Sequence, residues 1–213
     1  MLWTDLTLLK PEATPAEIDQ LADRARAAHA AAVCVNAGVV DRVAARLIGS
    51  TTRPISVVGF PLGAGRRESL AAETRDAVAA GAREIDMVIA VGRLRGGDHR
   101  YVFDHVAACV AAAGVPVKAI LETCYLADLE IAQASLIAAA AGAAFVKTST
   151  GFGSAGATER HVALMRRTVG PEIGVKASGG IRSRAQAHAM LRAGANRIGA
   201  SRIDADPSAT RGY

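Results

Sequence analysis

Eight short runs rich in β-branched and apolar residues recur at intervals of roughly 23 to 32 residues, and a helical pattern fills each gap between them. The runs predict strands over residues 4–9, 32–36, 55–60, 85–90, 117–122, 145–148, 174–177 and 197–200. The helical patterns fall at 15–28, 40–48, 67–80, 101–113, 128–141, 159–168 and 184–192. Thr14 before Pro15, Asp98 near the fourth pattern and Ser183 before the seventh are helix-capping residues, and Gly81, Gly114, Gly142 and Gly194 are stop signals. Strands separated throughout by helices pair in parallel through right-handed crossovers. Eight βα units close as a (β/α)8 TIM barrel, here a compact one with few insertions. An open doubly wound sheet is the alternative, but nothing after the first strand resembles a dinucleotide loop. The expected organisation is one barrel domain over 1–202 with a flexible C-terminal tail over 203–213, too short for a full eighth helix.

A second feature concerns the charges inside those strands. Of the 25 basic residues, 21 are arginine and four are lysine, namely Lys10, Lys118, Lys147 and Lys176. Three of the four lysines lie in apolar, strand-like runs, Lys147 in Phe145-Val146-Lys147-Thr148 and Lys176 in Gly174-Val175-Lys176-Ala177. Arginine keeps its proton at any workable pH, whereas a buried lysine can lose it and become a nucleophile. One reading is that these positions need an amine. The other is that they are structural lysines paired with Asp86 or Glu122 in a barrel interior. Spacing alone does not choose between them.

Composition narrows the partners. The net charge of +5 and pI near 9.5 suit a phosphorylated ligand. The arginines are scattered, without a basic run or interleaved aromatics, so nucleic acid is not expected as a partner. Residues 1–5 carry no signal-peptide pattern, and the longest apolar stretch is too short and too Ala-rich to span a membrane. Cys34, Cys109 and Cys124 show no metal or redox spacing, as for reduced thiols in a cytoplasmic protein. The five histidines form no ligand-spaced pair, so a metal site is not expected.

In such a barrel the chemistry sits at the carboxyl ends of the strands. Asp86 on the fourth strand, Lys118 and Glu122 on the fifth, Lys147 on the sixth and Lys176 on the seventh collect there. Parity places Lys118 and Glu122 on one face. The sixth and seventh strands are neighbours, so one lysine can act on the pKa of the other. Bringing a lysine from about 10.4 to a catalytic 7–8 takes about 4 kcal/mol of differential interaction. An amine so activated forms Schiff bases with carbonyl substrates. Separately, Gly179-Gly180-Ile181-Arg182 after the seventh strand and Gly199-Ala200-Ser201-Arg202 after the eighth fit the phosphate site common at this place in the fold.

Seven blocks carry a resemblance: Asp5 through Pro11, Val33 through Asn36, Val58 through Gly63, Glu84 through Ile89, Lys118 through Cys124, Phe145 through Gly153, and Val175 through Arg182. Through them, over nearly its whole length, the chain resembles the deoxyribose-phosphate aldolase family. The resemblance implies reversible cleavage of 2-deoxy-D-ribose 5-phosphate to D-glyceraldehyde 3-phosphate and acetaldehyde, without metal or cofactor. It implies Lys147 as the Schiff-base lysine and Lys176 as the group that perturbs its pKa and assists proton transfer. Asp86 becomes the acid/base group working with water. Gly151, Gly179, Gly180, Gly199 and Ser201 become the phosphate pocket. Asp86→Asn is then expected to remove the acid/base step and leave folding largely intact. A homodimer is a possible assembly. A sugar-phosphate-binding barrel without turnover and a related aldolase with another acceptor aldehyde are the alternatives.

The chain departs from the family's pattern in places. Leu6 stands where the family usually has His, and Arg202-Ile203-Asp204 follows Ser201 where a second serine and glycine are common. Arg202 is therefore a candidate phosphate contact. Tyr213, at the end of the tail, is a candidate proton-transfer group at the barrel mouth. Cys34, on a lumen-side strand end, reads as a buried inert thiol.

Overall fold

In the computed structural model, which describes residues 3–201, eight parallel strands close a barrel in sequence order. They are β1 (Thr4–Leu8), β2 (Ala32–Asn36), β3 (Arg53–Val58), β4 (Glu84–Val88), β5 (Val117–Ile120), β6 (Phe145–Lys147), β7 (Gly174–Ser178) and β8 (Arg197–Ala200). β1 pairs with β8 through Thr4↔Ile198 and Asp5↔Gly199, which completes the ring. The helices are α1 (Pro15–Ala27), α2 (Val40–Arg46), α3 (Arg67–Ala79), α4 (Val91–Arg95), α5 (His99–Ala113), α6 (Asp128–Ala140), α7 (Glu159–Val169) and α8 (Arg184–Arg192). Arg202, the tail over 203–213 and Tyr213 lie outside the described residues. Among the described residues no helix is long and apolar enough to cross a membrane.

Local chemistry sets these boundaries. At α1 the Thr14 hydroxyl accepts the Glu17 N–H, and the Glu17 carboxylate accepts the Thr14 N–H at 2.7 Å. Ser183 and Gln186 repeat the arrangement at α8. α5 starts two residues before its predicted position because Asp98 accepts the Tyr101 N–H. It stops where Gly114 enters the left-handed region at φ 60°. β3 begins two residues earlier than predicted and includes Pro54. Proline is tolerated there because its carbonyl, accepting the Arg83 N–H at 2.8 Å, is the group that pairs. α4 and two short 3-10 turns, Ala37–Val39 and Thr123–Tyr125, were not anticipated. Each is too short to carry a periodic apolar pattern.

Strand parity sorts the side chains into two environments. Val33, Val35, Ile85, Met87, Ala119, Val146 and Val175 face outward and join Ile18, Leu21, Val102, Val106, Ile131 and Val162 from the helices in the main core. The opposite parity fills the lumen, and the lumen has two halves. On β1–β3 a separate apolar cluster forms from Leu9, Ala32, Cys34, Ile55 and Val57, with Phe60 packed on it. On β4–β8 the inward residues include Glu84, Asp86, Lys118, Lys147, Lys176 and Arg197, and Asp5 of β1 joins them. At the floor, Gly174 makes room for the Phe145 ring, since a Cβ there would lie 2.1 Å from Phe145 Cδ1.

A buried histidine lies outside the lumen. His105 on α5 is buried and stacks on Tyr101 with ring centroids 6.0 Å apart. Burial, with a smaller push from Arg67, lowers its imidazole to about 4. The unfolded chain binds a proton near 6.5 that the native state refuses, so the contribution is complete above 6.5 and is lost as pH falls towards 4. The loss reaches about 3 kcal/mol at most. Urea titrations of a His105→Leu variant should show a flatter stability profile between pH 6.5 and 4 than the parent protein.

Candidate active site

The ionic half of the lumen is built around one carboxylate. Asp86 on β4 is fully buried and meets three ammonium groups. Its Oδ1 accepts from Lys118 Nζ at 2.9 Å, and its Oδ2 accepts from both Lys147 Nζ and Lys176 Nζ at 2.8 Å. Strand register brings this about, because Asp86 pairs with Lys118 across β4 and β5, and Lys147 pairs directly with Lys176 across β6 and β7. Below this hub lies a second tier. Lys176 Nζ is 2.5 Å from Asp5 Oδ2, and Lys118 Nζ is 2.5 Å from Glu84 Oε2. Arg197 on β8 ties the tier together, 2.7 Å from Asp5 and 3.5 Å from Glu84, and Arg53 closes it from outside at 3.0 Å from Glu84.

The electrostatics follow from the contacts. Burial alone raises the Asp86 carboxyl, but Lys118, Lys147 and Lys176 outweigh it and hold Asp86 well below the usual carboxylate range. Asp5 is likewise lowered, with burial opposed by Lys176, Lys118 and Arg197. For Lys176, burial works against the charge, yet Asp5 and Asp86 prevail and raise it above an ordinary lysine. Lys176 is therefore a fixed cation beside Lys147. Cys34 is pushed up to about 11, chiefly by burial and then by Asp86, and is an inert thiol.

Lys147 differs from the other two lysines in what it reaches. It lines a pocket of about 320 Å³ at the carboxyl end of the barrel, while Lys118 and Lys176 lie wholly beneath the surface. Gly151, Gly179, Gly180, Gly199 and Ser201 all line the same pocket, with Thr7, Lys10 and Arg182. Two roomier hollows, of about 480 and 500 Å³, lie elsewhere and contain none of these residues. Among the described residues the N–H groups of Gly151 and Gly180 have no hydrogen-bond partner, so both remain available to a ligand anion. The loops after β6 and β7 are pressed together, since a Cβ on Gly156 would come 2.1 Å from the Gly179 carbonyl oxygen. The Ala157 N–H donates to the Ser178 and Gly179 carbonyls across this contact.

One sequence expectation needs correction. Glu122 does not continue β5 and does not face Lys118 in the lumen. β5 ends at Ile120, and Glu122 turns into the left-handed region at φ 55°, which carries its carboxylate to the loop after β6. Lys118 pairs with Asp86, one of the two carboxylates expected, and with Glu84 in place of Glu122. Sequence reasoning passed over Asp5, Glu84 and Arg197. Parity was the available signal, because Glu84 shares the face of Asp86, and Asp5 is the second residue of β1 on the lumen side.

A closed parallel barrel with a lysine at its pocket floor, backed by a buried carboxylate and a second ammonium, defines a (β/α)8-barrel enzyme. The sequence profile of the family described as DeoC/LacD family aldolase matches residues 1–205. The chain belongs to that family, and it is an aldolase, a carbon–carbon lyase. It is 52% identical over 200 residues to the deoxyribose-phosphate aldolase of Brevibacillus brevis, covering 93% of this chain and 90% of that one. The Streptococcus uberis protein of the same name is also 52% identical over 200 residues, with 93% and 91% covered. Among solved structures, the tetrameric deoxyribose phosphate aldolase of Aeropyrum pernix superposes with a TM-score of 0.88 at 31% identity, covering 94% of this chain and 86% of that one.

Proposed function

We propose that the enzyme reversibly cleaves 2-deoxy-D-ribose 5-phosphate to D-glyceraldehyde 3-phosphate and acetaldehyde through a Schiff base on Lys147. The observation that carries this reading is the placement of Lys147 Nζ, 2.8 Å from Asp86 and on the wall of a pocket ringed by Gly151, Gly179, Gly180, Gly199 and Ser201. The buried network counts four cationic side chains, Lys118, Lys147, Lys176 and Arg197, against three carboxylates, Asp5, Glu84 and Asp86. Of the three lysines in this network, Lys147 is the one that lines the pocket.

The chemistry then runs in balanced steps. The free amine of Lys147 adds to the C1 aldehyde, and the carbinolamine hydroxyl takes up a proton and leaves as water, which gives an iminium. The proton of the C3 hydroxyl passes to a base, the C2–C3 bond breaks, and its electron pair forms an enamine between C2 and the lysine nitrogen. Glyceraldehyde 3-phosphate departs. Protonation of C2 and addition of water release acetaldehyde and restore the amine. Asp86, acting through water, is the group we assign to these proton transfers. Lys176 supplies a permanent positive charge beside the nitrogen. The unpaired N–H groups of Gly151 and Gly180 suit the phosphate.

Borohydride reduction in the presence of acetaldehyde, followed by peptide mass mapping, tests the assignment. An ethylated Lys147 is the expected product. Label on Lys176 instead, with Lys147 unmodified, would reverse the roles of the two lysines.

A further inference from the structure

We propose that Glu122 is a positioning residue that sets the preference for a phosphorylated sugar by clamping the loop 148–153 beside the reacting lysine. The proposal rests on the reading that this loop helps to hold the substrate's phosphate.

Three observations meet at Glu122. Its backbone, at φ 55° and ψ 62°, occupies a region that residues with a side chain rarely adopt and that persists only when the surroundings enforce it. Its carboxylate is buried, and its partners are the loop's own donors rather than a cation. The Thr150 N–H reaches Oε1 at 3.3 Å and Oε2 at 3.2 Å, and the Thr150 hydroxyl donates to Oε2 in a short contact. The Cys124 thiol makes a weaker contact at 3.8 Å. Gly153 presses on the same carboxyl, since a Cβ there would lie 3.2 Å from Glu122 Cδ.

The clamp decides which loop amides a ligand can reach. Glu122 consumes the Thr150 N–H. The Thr150 hydroxyl, held by Glu122, in turn accepts the Phe152 N–H at 3.0 Å. Gly151, between them, keeps its N–H unclaimed and lines the pocket of Lys147. Glu122 itself does not line that pocket but a smaller neighbouring one of about 90 Å³, with Thr150 and Phe152 common to both. It therefore acts on the substrate only through the loop. An anionic side chain suits this task, because a carboxylate can accept from the amide and the hydroxyl of one residue together.

The test is a comparison of kcat and KM on 2-deoxyribose and its 5-phosphate for wild type, Glu122→Ala, Glu122→Gln, Thr150→Val and Thr150→Ser. Losing charge-assisted bonds that order the loop should raise KM for the phosphate ester about tenfold or more in Glu122→Ala. kcat and the KM for the unphosphorylated sugar should stay within about threefold, as for a group outside the reacting site. Glu122→Gln, which keeps an acceptor for the amide, should fall between wild type and Glu122→Ala. Thr150→Val, at a residue that itself lines the pocket, should raise KM for the phosphate ester as Glu122→Ala does, and Thr150→Ser, which keeps the hydroxyl, should bring it back towards wild type. If Glu122→Ala does not fold, the Thr150 pair carries the test. Wild-type enzyme without a preference for the phosphate ester would overturn the phosphate reading and the proposal with it. A wild-type preference that survives unchanged in Glu122→Ala and Thr150→Val would sink the clamp alone. An equal fall of kcat on both sugars with KM unmoved would also overturn it, by placing Glu122 in the chemistry.

Discussion

Lys147→Arg is expected to yield no borohydride-trapped adduct and to lower turnover by on the order of 10⁴-fold or more, since a guanidinium cannot form an imine. Lys147→Met should be as inactive, but the two variants part in stability. The parent lumen holds one more buried cation than carboxylates among Lys118, Lys147, Lys176, Arg197, Asp5, Glu84 and Asp86. Removing the Lys147 charge balances the count, whereas arginine keeps the excess and adds bulk to a site that is almost fully enclosed. Thermal melts should therefore place Lys147→Met at or above wild type and Lys147→Arg below it. A Lys147→Met variant that melts well below wild type would contradict the charge argument, while leaving the Schiff-base assignment to the trapping result.

Asp86→Asn should abolish turnover and also weaken the fold, which revises the expectation from sequence that folding survives the change. Asparagine leaves Lys118, Lys147 and Lys176 without the carboxylate they share. Breaking a buried ion pair from one side costs about 3–5 kcal/mol. In a domain of this size that corresponds to a fall of roughly 10 °C in Tm. Adding Lys147→Met to Asp86→Asn should restore part of the loss, because one stranded ammonium is removed with its partner. The depressed Asp5 and Asp86 carboxyls contribute stability that is present above their unfolded values and is lost as pH falls through the folded ones. The raised Lys176 contributes below its unfolded value and loses that contribution as pH rises through the folded one. The contributions of Asp5, Asp86 and Lys176 are accordingly constant between about pH 4 and 10.

What sequence could and could not provide divides along physical lines. Alternating apolar and helical periodicities are local, and they located all eight strands and the seven longer helices to within a few residues. The rule that chemistry sits at the carboxyl ends of barrel strands gathers Asp86, Lys118, Lys147 and Lys176, and the structure brings all four together. Which carboxylate meets which lysine is set by register across strands far apart in sequence, so Asp5, Glu84 and Arg197 went unnoticed. The choice between Lys147 and Lys176, open on spacing and resolved only by family resemblance, has a structural correlate. The two are level in the sheet, yet one lines the pocket and the other is sealed between two carboxylates. That difference comes from the closing of the ring and the loops above it. Glu122 was misplaced because period-two reasoning assumes that the strand continues, and a single left-handed residue ends it.

The unequal halves of the lumen bear on how such an enzyme can diversify. The hub of Asp86, Lys118, Lys147 and Lys176 stands on β4–β7, and the facing wall of Leu9, Cys34, Val57 and Phe60, on or just after β1–β3, is apolar, with Asp5 of β1 the exception that pairs with Lys176 and Arg197. Substitutions on the apolar wall change volume and shape without disturbing any ion pair. A lineage, or a designer, can thus explore new aldehydes on one side of the barrel while the bond-making apparatus on the other stays fixed.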